Sequence, residues 1–166
     1  MRYKTISVLF LIIMLMTLTA CGTASSKDDD VFQYRNSYVG DNSAVSAIAQ
    51  HLPSPNGEQL SGIELQTNTE PYGVTLNYEL QEQLSDVERG ADYDKVAIQS
   101  SAILLAVVQN ADSVTLSYVN DQYTITKQDM ELWLGKPLNT FVSELQLTSY
   151  MEFYLEDENK IKQLIH

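Results

Sequence analysis

Gly73-Val-Thr-Leu-Asn-Tyr-Glu-Leu80 is the stretch on which the fold of this chain turns. Val74, Leu76, Tyr78 and Leu80 alternate with Thr75, Asn77 and Glu79, the period of a strand with one buried face. Just upstream, Glu70-Pro-Tyr-Gly73 has proline at the second position of a turn and glycine at the fourth, which predicts a type I turn. Before it, Ile63 and Leu65 alternate with Glu64 and Gln66, so the whole segment reads as a hairpin. A second hairpin is predicted further on. Val114, Leu116 and Tyr118 alternate with Thr115 and Ser117, Asn120-Asp121 turns the chain, and Tyr123 and Ile125 flank Thr124.

Helical patterns separate the hairpins. After Gly40, Asp41, Asn42 or Ser43 can cap a helix in which Val45, Ile48, Ala49 and Leu52 fall at i, i+3, i+4 and i+7, and Pro53 and Pro55 end it. Gln81 to Gly90 is polar and acidic, a loop or a short helical turn. Asp92 or Asp94 then opens the strongest helix. Lys95, Gln99, Ala102, Ala106 and Gln109 make one polar-to-small stripe, while Val96, Ala97, Ile103, Leu104, Val107 and Val108 cover the remaining surface. Such a helix is largely buried. Its apolar run, Ala102 to Val108, is far too short to cross a bilayer. Thr126 and Asp129 have capping spacing for a short helix through Met130, Trp133 and Leu134, stopped by Gly135 and Pro137. Leu138, Phe141, Val142 and Leu145 suggest another short helix and Glu158 to Ile165 a terminal one, whereas Thr148 to Leu155 fits strand and helix alike. The expected fold class is α+β: a mostly antiparallel four-stranded sheet from two hairpins, with helices packed on one face in the order helix–hairpin–helix–hairpin–helix. Each hairpin alone would be marginal, which favours a shared sheet.

The amino terminus carries a different signal. Met1-Arg-Tyr-Lys4 is a short basic region, and Ile6 to Leu18 is apolar except for Ser7 and Thr17. Leu18-Thr-Ala-Cys21 then places small residues before a cysteine. This resembles the lipobox of bacterial lipoprotein signal peptides, in which a diacylglycerol is joined to the cysteine sulfur and the leader is cut off before it. The resemblance implies a signal peptide over 1–20 and lipid attachment at Cys21. Two acyl chains anchor stably, at about 0.8 kcal/mol per buried CH₂. Gly22 to Asp30 is small and polar, a tether reaching at most about 30 Å. A single domain is expected over 31–166. The expected location is the extracytoplasmic face of the cell membrane, with the membrane itself as a partner through the lipid on Cys21.

Charge and residue counts narrow the function. The chain carries −12, and the leader holds two cations and no acid, so the part after Ala20 carries −14. Such a surface repels nucleic acid, whose binding relies on Lys and Arg neutralising phosphates. It also repels anionic head groups and wall polyanions. Cys21 is the only cysteine, which excludes an intrachain disulfide and a thiolate metal cluster, and His51 and His166 are the only histidines. No nucleotide loop, nucleophile elbow, HExxH or calcium-loop pattern occurs, and no cofactor is implied.

Three blocks carry a family resemblance. They are Phe32-Gln-Tyr-Arg-Asn-Ser-Tyr-Val-Gly-Asp-Asn42, Leu65-Gln-Thr67 with Glu70-Pro-Tyr-Gly-Val-Thr-Leu-Asn-Tyr78, and Tyr123-Thr-Ile-Thr126 through Trp133-Leu-Gly135. Together, over Val31 to Gly135, they resemble the domain-of-unknown-function family DUF4825, found in exported or membrane-anchored proteins of Gram-positive bacteria. The resemblance implies no activity, so no catalytic or binding residue is carried over from it.

Candidate site residues therefore rest on chemistry alone. Tyr34, Arg35, Asn36 and Tyr38, just before the first helix, together with Tyr72, are the candidate ligand surface. Tyrosine offers a rigid apolar body with a polar tip, suited to recognition and to sheet packing alike. Gly40-Asp-Asn-Ser43 could take an anion at a helix start, but the Asp41 carboxylate already answers those backbone donors. Asp92 with Asp94, or Glu156, Asp157 and Glu158, are the carboxylates available to a glycosidase, which needs two acids flanking a cleft. They read better as helix caps and a solvated face. The expected function is a non-enzymatic, membrane-anchored binding module for an envelope protein or peptide. The alternatives are an acid-dependent cell-wall hydrolase and a small-molecule or cation-binding lipoprotein.

Overall fold

The computed structural model describes residues 30–81 and 93–165. The expected leader, Cys21, the tether up to residue 29, the expected loop beyond Gln81, Asp92 and His166 lie outside the described residues. Four strands, β1 (Glu58–Gln66), β2 (Gly73–Leu80), β3 (Ser113–Ser117) and β4 (Gln122–Thr126), form one sheet in chain order. β1 and β2 are antiparallel, with Leu60 opposite Tyr78 and Ile63 opposite Leu76; the register slips by one residue at Ser61. β3 and β4 are antiparallel, with Leu116 opposite Tyr123.

The mostly antiparallel expectation fits two of the three strand pairs, and the central pair is the exception. β2 and β3 run parallel, Val74 beside Val114 and Leu76 beside Leu116, so the sheet is mixed. The reason is topological. A chain that leaves one strand and joins the next in the same direction must travel back across the sheet, usually as a helix. Helix α2 (Tyr93–Val107) makes that return. In the turn before β2 the Glu70–Pro71 peptide bond is cis, and Gly73 is already the first residue of the strand.

Sequence dictates the helix boundaries through caps. In α1 (Asn42–His51) the Asp41 carboxylate accepts from the Ala44 amide at 3.1 Å. Of the three expected caps, Asp41 is the one the helix uses. In α3 (Lys127–Leu134) the Thr126 hydroxyl accepts from the Asp129 amide, and Gly135 closes the helix at φ 70°, a left-handed conformation that costs glycine little. Leu138 to Leu145 is not one helix. Leu138–Thr140 forms a 3-10 turn, and α4 (Glu144–Leu155) starts only at the Ser143 cap, whose hydroxyl accepts from the Gln146 amide. The ambiguous Thr148 to Leu155 stretch is thus helical, because Leu147, Met151 and Leu155 fall on one buried stripe. Asp157 caps α5 (Glu158–Leu164). Asp94 is inside the first turn of α2 rather than before it.

The core lies on one side of the sheet. Val74, Leu76, Val114, Leu116 and Ile125 are buried in a single apolar cluster with Ile98, Ile103, Leu104 and Val107 of α2. The other side is polar: Thr115 and Thr124 hydroxyls meet at 3.0 Å, and the Asn77 amide donates to Glu64 at 2.9 Å. α3, α4 and α5 extend the core. The Trp133 indole donates to the Lys160 carbonyl at 2.7 Å, the Tyr154 hydroxyl donates to the Leu134 carbonyl, and the Lys136 ammonium lies over the Phe141 and Tyr150 rings.

Truncation of Leu104, which is fully buried in the middle of α2, is expected to remove about 2–5 kcal/mol of stability in urea unfolding. The same Leu→Ala change at Leu132, 72% exposed on α3, is expected to change it by less than about 0.5 kcal/mol. Equal effects at the two positions would contradict the assignment of the core.

Candidate functional site

The segment before α1 is held against the carboxy-terminal end of α2. Asp30 starts a 3-10 turn over Val31–Tyr34 by accepting from the Phe32 amide at 2.9 Å. Asn36 then adopts φ 75°, a left-handed conformation that asparagine tolerates better than most residues. This reversal lets the Asn36 amide donate to the Val107 carbonyl at 3.1 Å, Ser37 bridge to Val108, and the Gln109 amide donate to the Ser37 carbonyl at 2.8 Å. The Val39 amide donates to the Asn110 side chain at 2.8 Å. The last carbonyl of α2 is thus satisfied by Asn36, and the residues just after the helix bond to Ser37 and Val39.

Side chains from three directions meet there. The Arg35 guanidinium donates to the Asn139 carbonyl, and the Lys127 ammonium donates to the Gln109 carbonyl at 3.1 Å. The Glu131 carboxylate accepts from the Leu138 amide at 2.9 Å. Arg35, Asn36, Gln109, Lys127, Glu131 and Asn139 line a polar cleft of about 350 Å³, floored by Leu105, Ala106 and Val107. It is more enclosed than the hollows beside it. One of these, about 590 Å³, continues past Lys127 and Glu131 to Asp112 and Lys136; the other, about 520 Å³, shares Arg35 and Asn36 and reaches Tyr34, Asp41 and Ser43.

The electrostatics of the cleft run against the rest of the molecule. The chain is −12 overall, yet among the described residues neither Arg35 nor Lys127 has a carboxylate at ion-pair distance. Lys127 instead sits at the negative end of the α2 dipole, where a cation is favoured. Each cation uses one donor on a backbone carbonyl. A guanidinium has five donors and an ammonium three, so most of their hydrogen-bonding capacity is left over.

The sequence-derived ligand surface is only partly assembled. Tyr34, Arg35 and Asn36 share one hollow, and Arg35 and Asn36 reach the enclosed cleft. Tyr38 is half exposed and lines neither. Tyr72 packs on the core, its amide donating to Asp112 at 2.7 Å. Gln109, Lys127, Glu131 and Asn139 carry no local sequence signal that marks them as cleft residues. Of the acids considered for hydrolysis, Asp94 accepts from the Tyr123 hydroxyl at 2.7 Å, and Asp157 accepts from the Asn159 amide at 2.9 Å. No cluster of three or more His, Cys, Asp or Glu side chains suited to a metal ion occurs among the described residues.

The opposite end of α2 holds a second polar assembly that sequence reasoning missed. Glu58, 2% exposed, accepts from the Tyr93 hydroxyl at 2.8 Å and the Val119 amide at 3.2 Å. Tyr93 and Asp94 of α2 thus bond in opposite senses to Glu58 of β1 and Tyr123 of β4. Tyr118 stands at the centre of the rings, with centroids 4.8 Å from Tyr78, 5.3 Å from Tyr93 and 5.8 Å from Tyr123. Its hydroxyl is buried without a hydrogen-bond partner. The Tyr78 hydroxyl lies near Ser54 but short of hydrogen-bond geometry. Burial pushes the Tyr78 phenol up to about 12, helped by the Glu58 charge and eased by Ser54. Burial likewise raises Tyr118 and Tyr123, the latter also through its bond to Asp94.

The family model described as "Domain of unknown function (DUF4825)" matches residues 31–128. The chain belongs to this family. No curated protein and no solved structure matches it. The DUF4825 span contains the whole sheet, α1, α2 and the cleft residues Arg35, Asn36, Gln109 and Lys127. Glu131 and Asn139, the far wall of the cleft, lie beyond it. The candidate site is therefore a seam between the DUF4825 fold and the helices that follow.

Two outcomes test the tyrosine end. A phenol whose pKa is raised on folding stabilises the fold fully below its unfolded value near pH 10, and that contribution is lost as pH rises through the folded value. The stability of the unchanged protein relative to Tyr78→Phe should therefore be constant below about pH 10 and fall towards about pH 12, read by denaturant unfolding at fixed pH. Tyr118→Phe should be neutral or stabilising because it deletes an unpartnered hydroxyl, whereas Tyr93→Phe should cost about 1–3 kcal/mol by stripping a donor from buried Glu58.

Proposed function

We propose that this DUF4825 protein is an exported lipoprotein, held on the outer face of the cell membrane by a diacylglycerol on Cys21, whose domain binds an envelope protein or peptide and performs no catalysis. The cleft at the end of α2 is the binding site in this reading. Its support is one observation: two cations with spare donors, unpaired with any carboxylate among the described residues, line an enclosed polar cleft on a strongly acidic chain. Cations with donors to spare serve recognition, since they steer and orient a partner of complementary charge. In the same reading each hairpin and the helix before it form one unit. The apolar face of the sheet carries the helices, and its polar face is turned to solvent.

The anchor and the site have separate tests. Intact-mass analysis of membrane-extracted protein is expected to give a chain beginning at Cys21 with a thioether-linked diacylglycerol; an unmodified sulfur or a retained leader would remove the anchor. A photo-crosslinking residue at Gln109, in the cleft, is expected to give discrete adducts in living cells, while one at Glu64, on the polar face of the sheet, gives none. Adducts from Glu64 alone, or from neither position, would contradict the site.

A further inference from the structure

We infer that the cleft takes a short zwitterionic peptide, holding its free carboxylate between Arg35 and Lys127 and its ammonium at Glu131. The inference rests on the cleft being the binding site and adds the ligand's chemical class. Size gives the first constraint. A cavity of about 350 Å³ lies near the small end of ligand pockets, which run from about 300 to 1,000 Å³, so it suits a few residues of extended chain and excludes a folded epitope.

Charge gives the second. Arg35 and Lys127 supply two cations, while Glu131 places one carboxylate in the same cleft. A carboxylate satisfies the spare donors of both cations, and the planar guanidinium matches its two oxygens. Glu131 opposes a phosphate dianion but welcomes an ammonium, and one of its oxygens already orients it by accepting from Leu138. A zwitterion also escapes the repulsion that a chain of −12 exerts on polyanions.

The amides give the third. Asn36, Gln109 and Asn139 line the same cleft as the charged groups, and an amide side chain carries both a donor and an acceptor suited to a peptide unit. The cations are pre-positioned on backbone carbonyls, so little ordering is left for the ligand to bring about. Because Glu131 and Asn139 lie outside the DUF4825 match, the ammonium end is read by the helices particular to the segment after it.

The test is calorimetric titration of the full lipidated protein in neutral detergent with alanylalanine, its carboxy-terminal amide, its amino-terminal acetyl derivative and inorganic phosphate. Alanylalanine is expected to bind saturably at one site, and the amide and the acetyl derivative each at least about tenfold more weakly, the loss of one charge-assisted contact. Phosphate is expected neither to bind nor to compete. Arg35→Gln should weaken alanylalanine about tenfold with partial recovery in Arg35→Lys, and Glu131→Gln should erase the difference between alanylalanine and its acetyl derivative. Matched thermal unfolding of the variants excludes misfolding as the cause. Absence of saturable binding, equal binding of the amide, or binding of phosphate overturns the inference. If cleft crosslinks form in cells while these ligands fail, the ligand class is wrong and the binding-module reading stands; if the crosslinks are absent, the site itself is wrong.

Discussion

The burial of α2 across the sheet constrains everything else in this protein. β2 and β3 run parallel, so the chain between them has to return along the face of the sheet. From Ser100 to Val107 every residue of the returning helix is buried. A helix covered on all sides cannot rotate or slide without breaking close-packed contacts around it. Its two ends are therefore fixed points, and both polar assemblies of the molecule are built on them. At the start, Tyr93 and Asp94 bond outward to Glu58 and Tyr123. At the finish, Val107 and Gln109 offer carbonyls to Asn36 and Lys127.

The two ends differ in what they leave unsatisfied. At the tyrosine end the Glu58 and Asp94 carboxylates accept hydrogen bonds from phenols, and the Tyr93 and Tyr123 rings pack edge to face against Tyr118. What is left over there is a pair of buried hydroxyls, those of Tyr78 and Tyr118, a local cost rather than a binding capacity. At the other end the cations are satisfied once and retain several donors, and the space beside them is open enough to admit a ligand. The same helix thus has one end closed by aromatic packing and one end left receptive. The helices after the DUF4825 span add the outer wall of the receptive end without altering the sheet that positions it.

Most of the secondary structure was legible because its cues are local. Val74, Leu76 and Tyr78 announce a strand by alternation, Asp41 and Thr126 announce helix starts by side-chain geometry, and Gly135 announces a stop by its left-handed φ. The parallel central pair was not legible, since strand direction is decided by the path of α2 rather than by any property of β2 or β3. The break between Leu138 and Glu144 was missed for a related reason: Leu138 and Phe141 are buried in the core that α2 shares, Val142 and Leu145 are exposed, and the spacing of the four mimics a helix. Arg35 and Asn36 could be named from their position before α1. Lys127, Glu131 and Asn139 could not, because a cleft formed by residues far apart in sequence leaves no periodic trace.

Native-state hydrogen exchange measures the central constraint directly. If α2 is locked across the sheet, the amides of Ala102 to Leu105 and those of Leu76 and Leu116 exchange only through global unfolding, with one common free energy and one common dependence on denaturant. Exchange of the α2 amides through a cheaper opening, while β2 and β3 stay protected, would show that the helix moves independently and could hold neither of its ends in place.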